Sequence, residues 1–149
     1  MSYLTNLLKA LLNIKDKPGM ERASPKIRIT IEQARELINV INTVPGYENC
    51  FLAGVGRTNS MEPGLDDGMY MVLDPLPASK TIVGDNIWYK HPDWHGGPGE
   101  DGVIHRIVEI GTDVAGWYCR ACGDNNTAII DPVIIRAEHV TGVWRMTLN

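Results

Sequence analysis

The sequence predicts a mainly β protein, an antiparallel β-barrel or sandwich preceded by two N-terminal helices. Apolar residues recur at helical spacing before Pro45-Gly46, and short β-like runs follow that breaker pair. Turn residues such as Asp66-Asp67-Gly68 separate the runs. Short strands at this spacing, with no helices between them, favour an antiparallel sheet over alternating β-α-β units.

The first predicted helix covers residues 1–14, where leucines form one apolar stripe. The stripe consists of Leu4, Leu7, Leu8, Leu11 and Leu12. Polar residues interrupt the stretch, which is shorter than the roughly 20 apolar residues of a spanning helix. It also lacks the basic segment and cleavage site of a signal peptide. We expect this helix to pack on its own domain, with docking to an assembly partner or to a membrane surface as alternatives.

The second predicted helix begins after Thr30, which can form a capping box with Gln33. Its apolar face consists of Ile31, Ala34, Leu37, Ile38 and Ile41, and Pro45-Gly46 stops it. We therefore divide the chain into a helical extension, residues 1–50, and a β domain, residues 51–149.

Seven strands are predicted in the β domain. They are Met69–Leu73, Asn86–Lys90, Val103–Ile110, Trp117–Ala121, Ala128–Ile130, Val133–Ile135 and Val140–Met146. Further turns are expected at Val83-Gly84-Asp85, at Gly111-Thr112-Asp113 and at Gly123-Asp124-Asn125-Asn126. Residues 91–102 form a long polar excursion between two strands.

Composition excludes several classes of protein. The 149 residues include 14 Lys and Arg against 18 Asp and Glu, so the formal net charge is −4. A chain without a basic surplus is not expected to bind nucleic acid. Three cysteines are too few for a disulfide scaffold, and the odd number suits a reducing compartment. No transmembrane segment is evident, so we expect a soluble protein.

Three short segments carry residues that could act together chemically. Ser60 lies in a loop bounded by Gly and Pro, and a serine needs a base to become a nucleophile. His105 starts an apolar strand, and an imidazole with an ordinary pKa of about 6.5 can act as a base at neutral pH. The third segment runs from Gly123 to Asp131, and a carboxylate in it could orient that imidazole. Asp124 and Asp131 are both candidates.

The order of these segments resembles the type I signal peptidase family, in particular its endoplasmic-reticulum and archaeal-like branch. The matching motifs are Ser60-Met61-Glu62-Pro63, Val83-Gly84-Asp85-Asn86-Ile87, Ile104-His105-Arg106-Ile107, Gly123-Asp124-Asn125-Asn126 and Val140-Thr141-Gly142-Val143-Trp144. The likeness covers roughly residues 52–146. The family fold that it implies is the antiparallel β fold shared by signal peptidases and LexA-type proteins.

The resemblance implies a serine endopeptidase that needs no cofactor or metal. Ser60 would attack a peptide carbonyl with His105 as general base, and Asp124 or Asp131 would be the third member. The oxyanion hole would use the backbone N–H of Ser60 and the hydroxyl of Thr58, each such donor being worth about 3 kcal/mol. Substrates of the family are extended peptides with small residues at the first and third positions before the cut. They usually pair with an exposed strand edge.

The chain departs from the family in two ways. Family members are normally anchored by transmembrane helices, and Ala121-Cys122 stands where Thr-Lys usually precedes Gly-Asp. The missing anchor favours a second hypothesis, a non-enzymatic assembly subunit such as a virion component. Small anchor-less relatives encoded by bacteriophages could serve either use. The predicted location is the cytoplasm, or the host cytoplasm or virion for a phage protein, with peripheral membrane association as the alternative.

Two other interpretations rank lower. LexA-type repressors share the Ser-Met-x-Pro turn, but they use Lys as base and cut their own Ala-Gly or Cys-Gly bond. Here Ala53-Gly54 lies too close to Ser60 to loop back. Cys119 and Cys122 have zinc-like spacing, but no second Cys pair exists, and a strand would point them to opposite faces. His91 and His95 could hold a metal in a loop, although a solvated loop is the expected structure.

Overall fold

The computed structural model describes residues 28–56, 58–90, 102–126 and 129–149, and this part of the chain is mainly β. One helix, α1 (Ile31–Ile41), precedes the strands. The strands are β1 (Phe51–Gly54), β2 (Tyr70–Asp74), β3 (Asn86–Tyr89), β4 (Val103–Asp113), β5 (Gly116–Cys122), β6 (Ile135–Arg136) and β7 (Val140–Leu148). They form one antiparallel sheet in the order β1-β2-β7-β3-β4-β5-β6, which curls into a half-barrel. The predicted mainly β class is confirmed.

Helix α1 confirms the second predicted helix and its cap. The hydroxyl of Thr30 accepts from the backbone N–H of Gln33, whose side chain accepts from the N–H of Thr30. The helix ends at Ile41, before the predicted stop at Pro45-Gly46. Ala34 is fully buried, whereas Leu37 is 42% exposed, so the predicted apolar face is only partly covered. The first predicted helix, residues 1–14, lies outside the described residues.

Five predicted strands are confirmed with ends shifted by up to three residues, as β2, β3, β4, β5 and β7. The strand predicted at Val133–Ile135 overlaps the two-residue strand β6 only at Ile135. The strand predicted at Ala128–Ile130 is wrong, because the described Ile129 and Ile130 belong to no strand. Strand β1 is not among the predicted strands, because it is a four-residue apolar run with no alternation; it pairs with β2 from Phe51↔Leu73 to Gly54↔Tyr70.

The turn predicted at Gly111-Thr112-Asp113 is also wrong, because β4 runs through it and the hairpin turns at residues 114–115. The glycine has a packing role instead. A Cβ at Gly111 would lie 2.4 Å from the ring of Tyr118 on the paired strand β5. The turn itself depends on Gly116, whose φ of +101° favours glycine.

Two buried clusters position the elements that carry the predicted site. The first draws residues from β3, β4, β5, β6 and β7 and contains Ile87, Tyr89, Ile107, Cys119, Ala121, Ile135 and Val143. The second contains Ala53, Met61, Leu65, Met71 and Leu73. Met61 and Leu65 belong to the loop between β1 and β2. Their burial holds that loop, and Ser60 within it, against the sheet.

Candidate active site

Three parts of the fold bring Ser60, His105 and Asp131 into line. Ser60 lies in the loop between β1 and β2, His105 is the third residue of β4, and Asp131 follows β5. Ser60 Oγ is 3.1 Å from Nε2 of His105, and Nδ1 of the same ring is 2.6 Å from Oδ2 of Asp131. These are hydrogen-bond distances on both sides of one imidazole. In such an arrangement an imidazole could take a proton from the hydroxyl while the carboxylate orients the ring.

The carboxylate determines which nitrogen of His105 carries the proton. An ionised carboxylate only accepts hydrogen bonds, so Nδ1 carries the proton and donates a hydrogen bond to Asp131. Nε2 is then a lone-pair acceptor facing the hydroxyl of Ser60, which can donate to it. His105 is 8% exposed, so its ring is largely shielded from competing water.

The turn that follows β5 is hydrogen-bonded to the loop that carries Ser60. The backbone N–H of Asn125 donates to the carbonyl of Ser60 at 2.7 Å, and Nδ2 of Asn125 donates to the carbonyl of Asn59 at 2.7 Å. Asn59 has a φ of +55°, a conformation that these bonds help to hold. Gly123 lets the two segments approach, since a Cβ there would lie 2.6 Å from the carbonyl oxygen of Ser60. These two bonds from Asn125, which we call the Asn125 clamp, therefore fix the peptide units on both sides of Ser60.

The two carboxylates that the sequence left open have different partners. Asp124 accepts two hydrogen bonds of 2.7 Å from the guanidinium of Arg106, which also donates to the carbonyl of Gly84. Asp131 contacts His105 instead. Strand alternation explains the split, because His105 and Arg106 are successive residues of β4 and point to opposite faces. The structure thus brings Asp131, and not Asp124, to the imidazole.

The hydroxyl of Thr58 lies 3.1 Å from Oγ of Ser60. Thr58 is an exposed residue. Thr58, which the resemblance implies as an oxyanion donor, is therefore within hydrogen-bond distance of Ser60.

Sequence reasoning missed Tyr89. Its hydroxyl donates to Oδ2 of Asp131 at 2.9 Å, and its ring stands edge-on to that of His105 with 6.5 Å between centroids. Burial, together with the charge of Asp131, raises the pKa of Tyr89 well above its ordinary value, so the hydroxyl keeps its proton. The available signal was weak. Tyr89 lies in a predicted strand, and a buried tyrosine hydroxyl needs a partner, but the sequence does not say which.

Within the described ranges, no group of three or more His, Cys, Asp or Glu side chains could hold a metal ion. Cys119 is fully buried, and burial raises the pKa of its thiol to about 12. Cys122 is half-buried, and its thiol donates to the carbonyl of Gly123. His91 and His95, the other sequence candidates for a metal site, lie outside the described residues.

No helix in the described part of the chain has the length and apolar character needed to cross a membrane. A scan of protein-family models, a search of curated proteins and a search of solved structures each found no match. The contacts of Ser60, His105 and Asp131 are therefore the observations from which a function is inferred.

Proposed function

We propose that this protein is a serine endopeptidase of signal-peptidase type, with Ser60 as nucleophile, His105 as general base and Asp131 as the third member. The observation that carries the proposal is the line of hydrogen bonds, 3.1 Å from Ser60 to His105 and 2.6 Å from His105 to Asp131. The antiparallel β fold and the order of the three segments in the chain agree with that family's pattern.

The proposed reaction is acyl transfer through a covalent intermediate. Nε2 of His105 takes the proton of Ser60 as Oγ bonds to the peptide carbonyl carbon, and Asp131 stabilises the resulting imidazolium. His105 then gives the proton to the departing amine as the C–N bond breaks. Water, deprotonated by the same imidazole, hydrolyses the ester and regenerates Ser60.

The oxyanion would be stabilised by the backbone N–H of Ser60 and the hydroxyl of Thr58. The Thr58 hydroxyl stands 3.1 Å from the attacking oxygen, near where the carbonyl oxygen of a bound peptide would come to lie. The Asn125 clamp binds the carbonyl of Ser60 and so fixes the peptide unit that follows it. It also binds the carbonyl of Asn59, which fixes the unit that contains the Ser60 N–H.

We propose an extended peptide with small residues before the cut as substrate. Strand β1 stands at one edge of the described sheet, paired on one side with β2. The loop that carries Ser60 follows β1 directly along the chain. A peptide that added to this edge would run toward the nucleophile, which is the strand-addition mode of recognition.

The competing hypothesis, an assembly subunit without enzymatic activity, predicts no functional contact between Ser60 and His105. A separation beyond about 4 Å that no rotamer could close would favour it, because a general base must reach the proton it takes. The observed 3.1 Å supports the peptidase.

Ser60→Ala tests the proposal. The variant should lose cleavage of a peptide with Ala at the first and third positions before the cut, and lose labelling by a fluorophosphonate. Ser79→Ala is the matched control, because Ser79 is an exposed serine outside this site and should leave both unchanged. Cleavage by Ser60→Ala at the wild-type rate would refute the assignment.

A further inference from the structure

We propose that Tyr89 is a positioning residue that holds the Asp131 carboxylate against His105. The inference rests on the proposed function only for its kinetic consequence. Its structural consequence, a fixed hydrogen bond between His105 and Asp131, can be measured whether or not the protein cleaves peptides.

One oxygen atom links the three side chains. Oδ2 of Asp131 accepts both the 2.6 Å bond from Nδ1 of His105 and the 2.9 Å bond from the hydroxyl of Tyr89. A buried tyrosine hydroxyl could be satisfied by any acceptor within reach. Here it binds the very oxygen that faces the imidazole, so a rotation of the carboxylate that broke one bond would also strain the other.

Tyr89 is well suited to hold that oxygen because it cannot move easily. It lies on β3, which is paired on both sides, with β7 and with β4. Its side chain is 0% exposed and belongs to the first buried cluster, packed with residues such as Ile87 and Ile107. Such a ring, in a close-packed interior, presents its hydroxyl in one place.

Asp131, in contrast, lies in an irregular segment between β5 and β6. Its backbone N–H donates to the carbonyl of Ala121, which ties the main chain to the end of β5. That bond fixes the backbone but leaves the side-chain torsions to be set by contacts of the carboxylate. A site group on a loop is held precisely when a rigid neighbouring element supports it. Tyr89 supplies that support from the centre of the sheet.

The kinetic consequence is a loss of turnover without a loss of binding. Tyr89→Phe should lower kcat by roughly 10-fold to 100-fold, since a hydrogen bond to a charged group is worth one to two factors of ten. KM should stay within about twofold, because the hydroxyl is buried and would not touch substrate.

The structural consequence is tested by NMR with ¹⁵N-histidine labelling. The wild-type protein should show an Nδ1 proton signal of His105 far downfield, assigned by its absence from His105→Ala and Asp131→Asn. Tyr89→Phe should broaden or lose this signal, because Oδ2 of Asp131 loses the hydrogen bond from Tyr89 and the Nδ1 proton then exchanges faster with water.

Tyr118→Phe is the matched control. It removes a hydroxyl that donates to Glu109 at 3.1 Å, outside the site, and should leave the signal of His105 unchanged. The backbone amide signals, recorded from the same samples, show whether each variant is folded. An unchanged Nδ1 signal in Tyr89→Phe, or its absence from the wild-type protein, would overturn the proposal. If the wild-type protein cleaves no peptide but Tyr89→Phe still loses the Nδ1 signal, the peptidase proposal is refuted and the positioning role of Tyr89 is supported.

Discussion

Replacing Asp131 with Asn should abolish most of the activity without unfolding the protein. Asn has nearly the shape of Asp, and its amide nitrogen can turn toward Nδ1 of His105. Nδ1 would then have to accept a hydrogen bond, so the ring proton would move to Nε2. With Nε2–H facing Oγ at 3.1 Å, the imidazole could no longer take the proton of Ser60.

The size of this loss follows from what the carboxylate contacts. The bond from His105 is short, 2.6 Å, and the two side chains are only 10% and 15% exposed, so water cannot replace it well. In Ser-His-Asp sites the wrong tautomer lowers kcat by about 10⁴. The partial exposure moderates the effect, and we expect a loss of about 10³ to 10⁴, equivalent to about 4 to 5 kcal/mol of transition-state stabilisation.

Asp124→Asn is the matched control, and kcat with the peptide substrate is the assay for both variants. Asp124 binds Arg106 in a pair whose side chains are 33% and 41% exposed. Such a surface pair is worth about 0.2–1 kcal/mol of stability, so kcat should stay within about tenfold of wild type. An Asp131→Asn enzyme within tenfold of wild type, or equal losses in the two variants, would refute the assignment of Asp131.

Three further predictions concern the surroundings of the site. Thr58→Val should lower kcat about a hundredfold by removing one oxyanion donor, and an unchanged kcat would exclude this role for Thr58. Asn125→Asp cannot donate to the carbonyl of Asn59, so urea denaturation should show a free energy of unfolding lower by about 1–3 kcal/mol. An unchanged free energy of unfolding would mean that this hydrogen bond does not stabilise the protein. Because burial raises the pKa of Cys119 to about 12, its thiol stays protonated at lower pH. Mass spectrometry should find it unmodified by iodoacetamide at pH 8 in the native protein but modified in urea, and rapid native modification would contradict this.

Local signals in the sequence predicted much of the fold, and they failed where packing between strands decides the structure. The capping box at Thr30 is set by residues three positions apart, and it is confirmed. Gly111 resembles a turn residue in the sequence, but its lack of a side chain serves the ring of Tyr118 on the next strand. Strand β1 has no alternation to reveal it and exists because β2 offers a partner edge.

The same distinction applies to the candidate site. Short motifs of neighbouring residues in the sequence predict Ser60 and His105 as site residues. The choice between Asp124 and Asp131 depends on which side chains of β4 lie on each face of the strand. Strand alternation indicates that Arg106 lies on the face opposite His105 and needs its own acidic partner there. To predict that Tyr89 lies near His105, one must know the register of β3 on β4. In that register Ile87 is paired with His105, and Tyr89 lies diagonally beside His105. No pattern along a single strand contains that register.

The curl of the sheet is the feature on which the proposed chemistry most depends. In strand order β1 is first and β4 fifth, so a flat sheet would separate them by about 19 Å at roughly 4.8 Å per strand. Ser60, in the loop after β1, nevertheless lies 3.1 Å from His105 on β4. The intervening β7 carries register shifts against both β2 and β3, as is typical where sheets bend. At Gly142 on β7, a Cβ would lie 3.1 Å from the ring of Phe51 and 3.2 Å from the carbonyl oxygen of Asp74, so a larger residue there requires these neighbours on β1 and β2 to move by a few tenths of an ångström.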